Sequence, residues 1–149
     1  MTDRDIRKVR EFNRFYTSVI GLLDKHYLNS PFTLPEGRVL YELHHHQPCS
    51  ATELIEPTHM DKGYLSRILK AFLKKGYVIR KPHHEDGRAF QLMLSTKGEK
   101  EFDKLNTSSS DLIKVMLQNL SKDEIHVLTT SMEQITEVIG QAKVELSAA

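Results

Sequence analysis

Apolar side chains recur at helical spacing from the start of the chain, at Ile6, Val9, Phe12, Tyr16, Val19, Ile20, Leu23 and Tyr27. This pattern predicts a first helix over about residues 3–28. Asn29-Ser30-Pro31 breaks it, because proline lacks an amide donor and restricts its neighbour. Thr33-Leu34-Pro35-Glu36 has the form of a capping box with proline in the first turn. It opens a second helix, with Val39, Leu40 and Leu43 inward, that ends near His46. Gln47-Pro48-Cys49 reads as a short extended link. Ser50-Ala51-Thr52-Glu53 is a second capping box, starting a short third helix through Ile55 that Pro57 limits. Asp61 caps a fourth helix of about residues 62–75, and Gly76 ends it. Tyr77–Lys81 and Ala89–Leu94 read as strands joined by a turn at Asp86-Gly87. A long helix begins at Ser95-Thr96-Lys97-Gly98 and runs to about Asn119, with a kink expected at the weak helix formers Thr107–Ser110. Ser121-Lys122-Asp123-Glu124 opens a last helix with Ile125, Leu128, Met132, Ile135, Ile139 and Ala142 along one stripe. The outer helices carry more apolar surface than a small winged helix needs, which points to dimerisation.

The fourth helix carries the most chemistry. At about 100° per residue, Leu65, Ile68, Leu69 and Phe72 share one face. The opposite face holds Gly63, Ser66, Arg67, Lys70 and Lys74, with Lys62 at the start and Tyr64 at the edge. Such a helix fits the DNA major groove, where arginine grips guanine through two acceptors and serine bonds phosphate or base. Gly63 allows close backbone approach, and the amides at this end are expected to favour phosphate. The plain alternative is a solvated lysine face. Against it stands the order of elements: short helix, turn, basic helix, strand, charged hairpin. The hairpin tip, His83-His84-Glu85-Asp86-Gly87-Arg88, ends in an arginine suited to the narrow minor groove, which Asp86 would hold in position.

Charge sharpens this picture. The chain has 149 residues and a net charge of only +1. Asp61–Arg88 nevertheless holds eight Lys/Arg against three acids, whereas the stretch from Asp111 onward holds three Lys against six acids. A basic centre beside an acidic tail implies an anionic partner met by one surface. One cysteine, Cys49, excludes an intrachain disulfide and any multi-thiolate metal site, and suits a reducing cytoplasm. The first residues lack the apolar core of a signal peptide. No apolar run approaches the ~20 residues of a membrane span.

Leu65-Ser66-Arg67-Ile68, Lys75-Gly76-Tyr77-Val78-Ile79-Arg80, Asp86-Gly87-Arg88 and Leu94-Ser95-Thr96-Lys97-Gly98 together resemble the MarR family of winged helix-turn-helix regulators, over nearly the whole chain. The resemblance implies a mainly α fold with a small β-wing. Residues 33–96 would form the DNA-binding lobe, and residues 1–30 with 97–149 a helical dimerisation lobe. It also implies a homodimeric, ligand-responsive repressor on a pseudo-palindromic operator. Ser66 and Arg67 then fall on the recognition helix, Asp86 and Arg88 on the wing, and Ser50 and Thr52 at phosphate. A small-molecule crevice is implied beside the dimer helices, which Tyr16, Tyr27 and Tyr41 border. Phe12–Thr17, Ser30–Phe32 and Asp61–Arg67 resemble, more narrowly, the amino-terminal half of bacterial proteins that fuse a MarR domain to a GNAT acetyltransferase. The alternative function is therefore a regulatory module of such an enzyme, its catalytic half absent from this sequence. A third reading is a helical protein–protein adaptor.

Other chemistry finds less footing. His44-His45-His46 spread over about 200° of a helix and cannot all face one ion, so no metal is expected. His83 and His84 lie in the wing, where protonation would add charge towards DNA. Cys49 precedes the third helix, a position that favours structural burial, although a helix N-terminus lowers a thiol pKa. No nucleophile–base set and no phosphate-cradling glycine loop emerges. The expectation is a non-enzyme without cofactor.

Overall fold

All three capping boxes form as the sequence predicts. The computed structural model describes residues 1–27, 29–83, 85 and 90–141, with only the backbone of residues 24–27. Helix α1 spans Asp3–Tyr27 and α2 Leu34–His46. At α2, the Thr33 amide donates to Glu36 Oε2 at 2.9 Å and the Glu36 amide to Thr33 Oγ1 at 3.3 Å. A single 3-10 turn, Thr52–Leu54, runs into α3 at Ile55–Thr58. Helix α4 is Lys62–Lys75, strands β1 and β2 are Val78–Pro82 and Phe90–Leu94, and α5 and α6 are Thr96–Leu117 and Lys122–Gln141. Ser121 and Glu124 exchange the third reciprocal pair, at 2.8 and 3.2 Å, at the start of α6. The protein is mainly helical with a two-stranded antiparallel wing, as the winged-helix expectation requires.

Two local predictions are corrected. The third helix continues to Thr58 instead of stopping at Ile55. Pro57 sits in the first turn of α3, where a missing amide removes no intrahelical bond. His59, left-handed at φ 54°, ends that helix instead. The first strand begins and ends one residue later than predicted, at Val78–Pro82, while Ala89, the predicted start of the second, lies outside the described residues. Helix α5 is continuous through Thr107–Ser110, the segment where a kink is expected. There the Ser110 hydroxyl donates back to the Asn106 carbonyl at 2.9 Å, so this side chain is satisfied inside the helix.

One core holds α2, α3, α4, the wing base and the first half of α5 together. It contains Phe32, Val39, Leu40, Leu43, Leu54, Leu65, Leu69, Phe72, Val78, Leu92, Leu94 and Phe102, all nearly excluded from solvent. Phe32, Phe72 and Tyr77 meet edge to face, with centroids 5.1–5.9 Å apart, the favoured geometry for aromatic quadrupoles. The link before α3 is more than extended chain: Cys49 bridges to Leu92, with amide–carbonyl distances of 3.2 and 2.7 Å. Gln47 joins three elements, its Oε1 accepting from the Leu94 amide and its Nε2 donating to Glu99.

The chain divides into two compact units, Met1–Leu112 and Ile113–Ala149. Within the first, the predicted stripe of α1 is not buried. Ile6, Val9, Phe12 and Ile20 are each 39–58% exposed, and among the described side chains of the stripe only Tyr16, Val19 and Leu23 are half-buried. Within the second, α6 has no buried residue, and Met132, Ile135 and Ile139 of its stripe are exposed. Ala142 lies outside the described residues.

Candidate nucleic-acid interface

Helix α4 owes its exposed face to the burial of the other. Leu65, Ile68, Leu69 and Phe72 are at most 5% exposed, and each such side chain contributes roughly 1.5–3 kcal/mol by leaving water. That anchoring leaves Lys62, Gly63, Arg67, Lys70 and Lys74 exposed, Tyr64 at the exposed edge and Ser66 half-buried. The Arg67 guanidinium carbon lies 5.7 Å from the Tyr64 ring centre, so the face of the ring supports the cation. Gly76, at φ 75°, closes the helix in the left-handed conformation that glycine adopts without steric cost.

The expected phosphate role of the first α4 amides is corrected. Asp61 accepts from the Gly63 amide at 2.8 Å and the Tyr64 amide at 3.0 Å. Both donors are taken by an anion, which also repels phosphate.

Ser50 is half-buried and its hydroxyl accepts from the Glu53 amide at 3.3 Å, while Thr52 is exposed at the start of the 3-10 turn. His84, Asp86 and Arg88 lie outside the described residues, so the wing tip is untouched by the geometry. Residues that the sequence reading passed over stand on the wing's strands. Arg80 and Lys81 of β1 are exposed. Arg80 pairs with Leu92 across the hairpin and shares a groove with Ser66, Lys70 and Phe90. Strand alternation was the available signal: Arg80 shares a face with Val78.

The three tyrosines are not brought together in one described site. Tyr41 lines a groove between α2 and α5 with Arg38, Phe102, Leu105 and Asn106. Tyr16 stacks on Phe12 at 5.6 Å and is not among that lining. The Tyr27 side chain lies outside the described residues. Arg38 is engaged within the protomer, with Glu42 at 2.7 Å and the Pro57 carbonyl at 3.0 Å.

The three histidines take different hydrogen-bond partners, although the His44 and His45 rings meet at 5.1 Å. His44 pairs with Glu99 at 2.9 Å and stacks on Phe102, while His45 and His46 donate to the carbonyls of Tyr41 and Glu42. No cluster of three metal-ligating side chains occurs among the described residues. Cys49 is 2% exposed, and burial, then the nearby Glu53 carboxylate, push its thiol up to about 11. The expected lowering by a helix N-terminus does not occur, because desolvation opposes the thiolate. Iodoacetamide at about pH 8 is therefore expected to leave Cys49 unmodified in the folded protein and to alkylate it in denaturant. Equal labelling rates in the two states would refute this burial.

No helix among the described residues is long and apolar enough to cross a membrane. The HTH-type transcriptional regulator BilQ of Clostridium symbiosum (strain WAL-14163) is 31% identical over 87 residues, covering 58% of this chain and 60% of that protein. The HTH-type transcriptional repressor YetL of Bacillus subtilis (strain 168) is 26% identical over 115 residues, covering 74% and 68%. A Staphylococcus aureus MarR in complex with salicylate and kanamycin superposes with a TM-score of 0.78 at 19% identity, covering 92% of this chain and 93% of that one. At that identity the likeness speaks to the fold alone. The model of the MarR family matches residues 32–90, which take in α2, α3, α4, β1 and the first residue of β2.

Proposed function

We propose that this protein is a DNA-binding transcriptional regulator, a homodimer that represses from a pseudo-palindromic operator and responds to a small-molecule effector. The observation that carries the reading is α4 itself, locked into the core by Leu65, Ile68, Leu69 and Phe72 while presenting Arg67, Lys70 and Lys74 outward beside a basic hairpin. Ser66 and Arg67 read base edges, and Lys62, Lys70 and Lys74 meet phosphates. Gly63 and Tyr64 form the close-approach edge. Ser50 and Thr52 touch the flanking backbone, and His84, Asp86 and Arg88 carry the wing tip into the minor groove. Residues 33–96 are the DNA-binding lobe. The uncovered stripes of α1 and α6 supply the dimer lobe of residues 1–30 and 97–149. The names of BilQ and YetL support regulation, and that of YetL repression. The complex of the Staphylococcus aureus MarR with salicylate supports an effector, for which the groove at Tyr41 is the candidate site. A DNA partner implies a cytoplasmic location, and no catalytic step or cofactor enters this reading. The acetyltransferase-linked alternative finds no support among these relatives.

Selection of bound fragments from a random duplex pool tests the proposal. The expected product is one pseudo-palindrome with half-site centres about one helical turn (~10 bp) or a multiple of it apart. The purified protein should have a dimer's mass, and log affinity should fall linearly with log salt. A strict monomer, or a protein that shifts no duplex even at low salt, would refute the reading.

A further inference from the structure

We propose that the cleft between α4 and the wing is a clamp for a single sugar-phosphate strand of duplex DNA, with Arg80 as its main cation. The inference rests on the DNA-binding reading above and adds a binding site to it. Along β1 and β2, alternate residues face the same way. Val78, Leu92 and Leu94 turn inward and are buried, at 2–6% exposed. Arg80 continues that inner row on β1, and Phe90 continues it on β2, yet Arg80 is exposed and Phe90 is 53% exposed. The hairpin therefore overhangs the core, and its inner face beyond the core carries a cation and a ring where packing would call for two aliphatic side chains.

The overhang faces something specific. The Arg80 guanidinium carbon lies 6.0 Å from the Phe90 ring centre, within the range where the ring's negative face holds a cation. Across the cleft stand the Ser66 hydroxyl and the Lys70 ammonium of α4, with Leu69 and Leu73 as floor. No carboxylate lines the cleft among the described residues. Cations on both walls, a hydroxyl, and an apolar floor suit a linear anion that is apolar between its charges. A deoxyribose-phosphate chain has that character. The position agrees: when α4 lies in a major groove and the wing tip in the adjacent minor groove, one backbone strand passes between them. Arg80 and Lys70 would flank its phosphate, and Phe90 would pack on the sugar.

The test uses the full protein and the operator duplex obtained by selection, with affinity measured across a salt series. Arg80→Ala is expected to weaken binding about 10-fold near 0.1 M salt and to flatten the salt slope by about one unit per protomer, with base preference unchanged. Arg80→Lys should restore the slope. Phe90→Ala should weaken binding about 3-fold with the slope kept, since it removes packing and not charge. A methylphosphonate placed at successive positions should weaken the parent at one phosphate per half-site and leave Arg80→Ala indifferent there. That scan on the parent needs no variant to fold. Parental affinity and slope in Arg80→Ala would overturn the clamp while leaving the DNA reading intact, as would a changed base preference, which would make Arg80 a base reader. A parent that binds no duplex overturns both.

Discussion

Arg67→Glu combined with Lys70→Glu is expected to lower operator affinity by about three orders of magnitude near 0.1 M salt, with no change in thermal midpoint. On the proposed reading, each substitution removes a cation that would release counterions from DNA and sets a carboxylate against phosphate, and the proposed dimer would carry four such reversals. Both side chains are exposed, and the apolar face that holds α4 is untouched. Glutamate is also a good helix former, so the helix survives. Fluorescence anisotropy on a labelled operator, beside a thermal melt, measures both quantities. Retained affinity would mean that this face does not meet DNA. A collapsed thermal midpoint would mean that these residues hold the fold. The single Arg67→Ala change should relax preference at one base position per half-site, whereas Lys70→Ala should weaken all sequences alike.

Gly98→Ala is expected to destabilise the protein by about 3 kcal/mol, or about 10 °C in thermal midpoint. The added methyl would lie 2.0 Å from the Tyr77 carbonyl oxygen, 3.0 Å from its carbon and 3.3 Å from Leu94 Cδ2. The Tyr77 carbonyl cannot easily retreat, since it accepts from the Ser95 amide at 2.9 Å and the Tyr77 amide is bonded to the Phe72 carbonyl at 2.9 Å. Ser95 in turn caps α5, its Oγ accepting from the Gly98 amide at 3.0 Å. The clash therefore loads the junction where α4 ends, β1 begins and α5 starts. A calorimetric melt of Gly98→Ala near the parent's midpoint would show that this junction yields. Operator affinity should fall as well, because the same junction sets the wing against α4.

Much of this architecture was legible locally. Thr33/Glu36, Ser50/Glu53 and Ser121/Glu124 marked their turns because a capping box closes within four residues. Asp61 and Gly76 marked both ends of α4 for the same reason. The basic face of α4 followed from side-chain type and the helical repeat. What stayed hidden depends on partners distant in sequence. Cys49 was expected to be buried, but the bridge to Leu92 that helps bury it joins residues far apart in sequence. Arg80 looked like one more strand cation until the hairpin's register put it opposite Leu92, at the edge of the core.

The sequence by itself determined which segments are helices, where most of them start, and which face of each is apolar, since those are properties of one turn and its neighbours. Only the tertiary structure decided which apolar faces find cover within the protomer and which cations share a cleft. Two stripes of equal regularity met different fates: that of α4 is buried and that of α1 stays largely in solvent. The period of a helix sets a direction for each side chain, but burial needs a second surface to close over it.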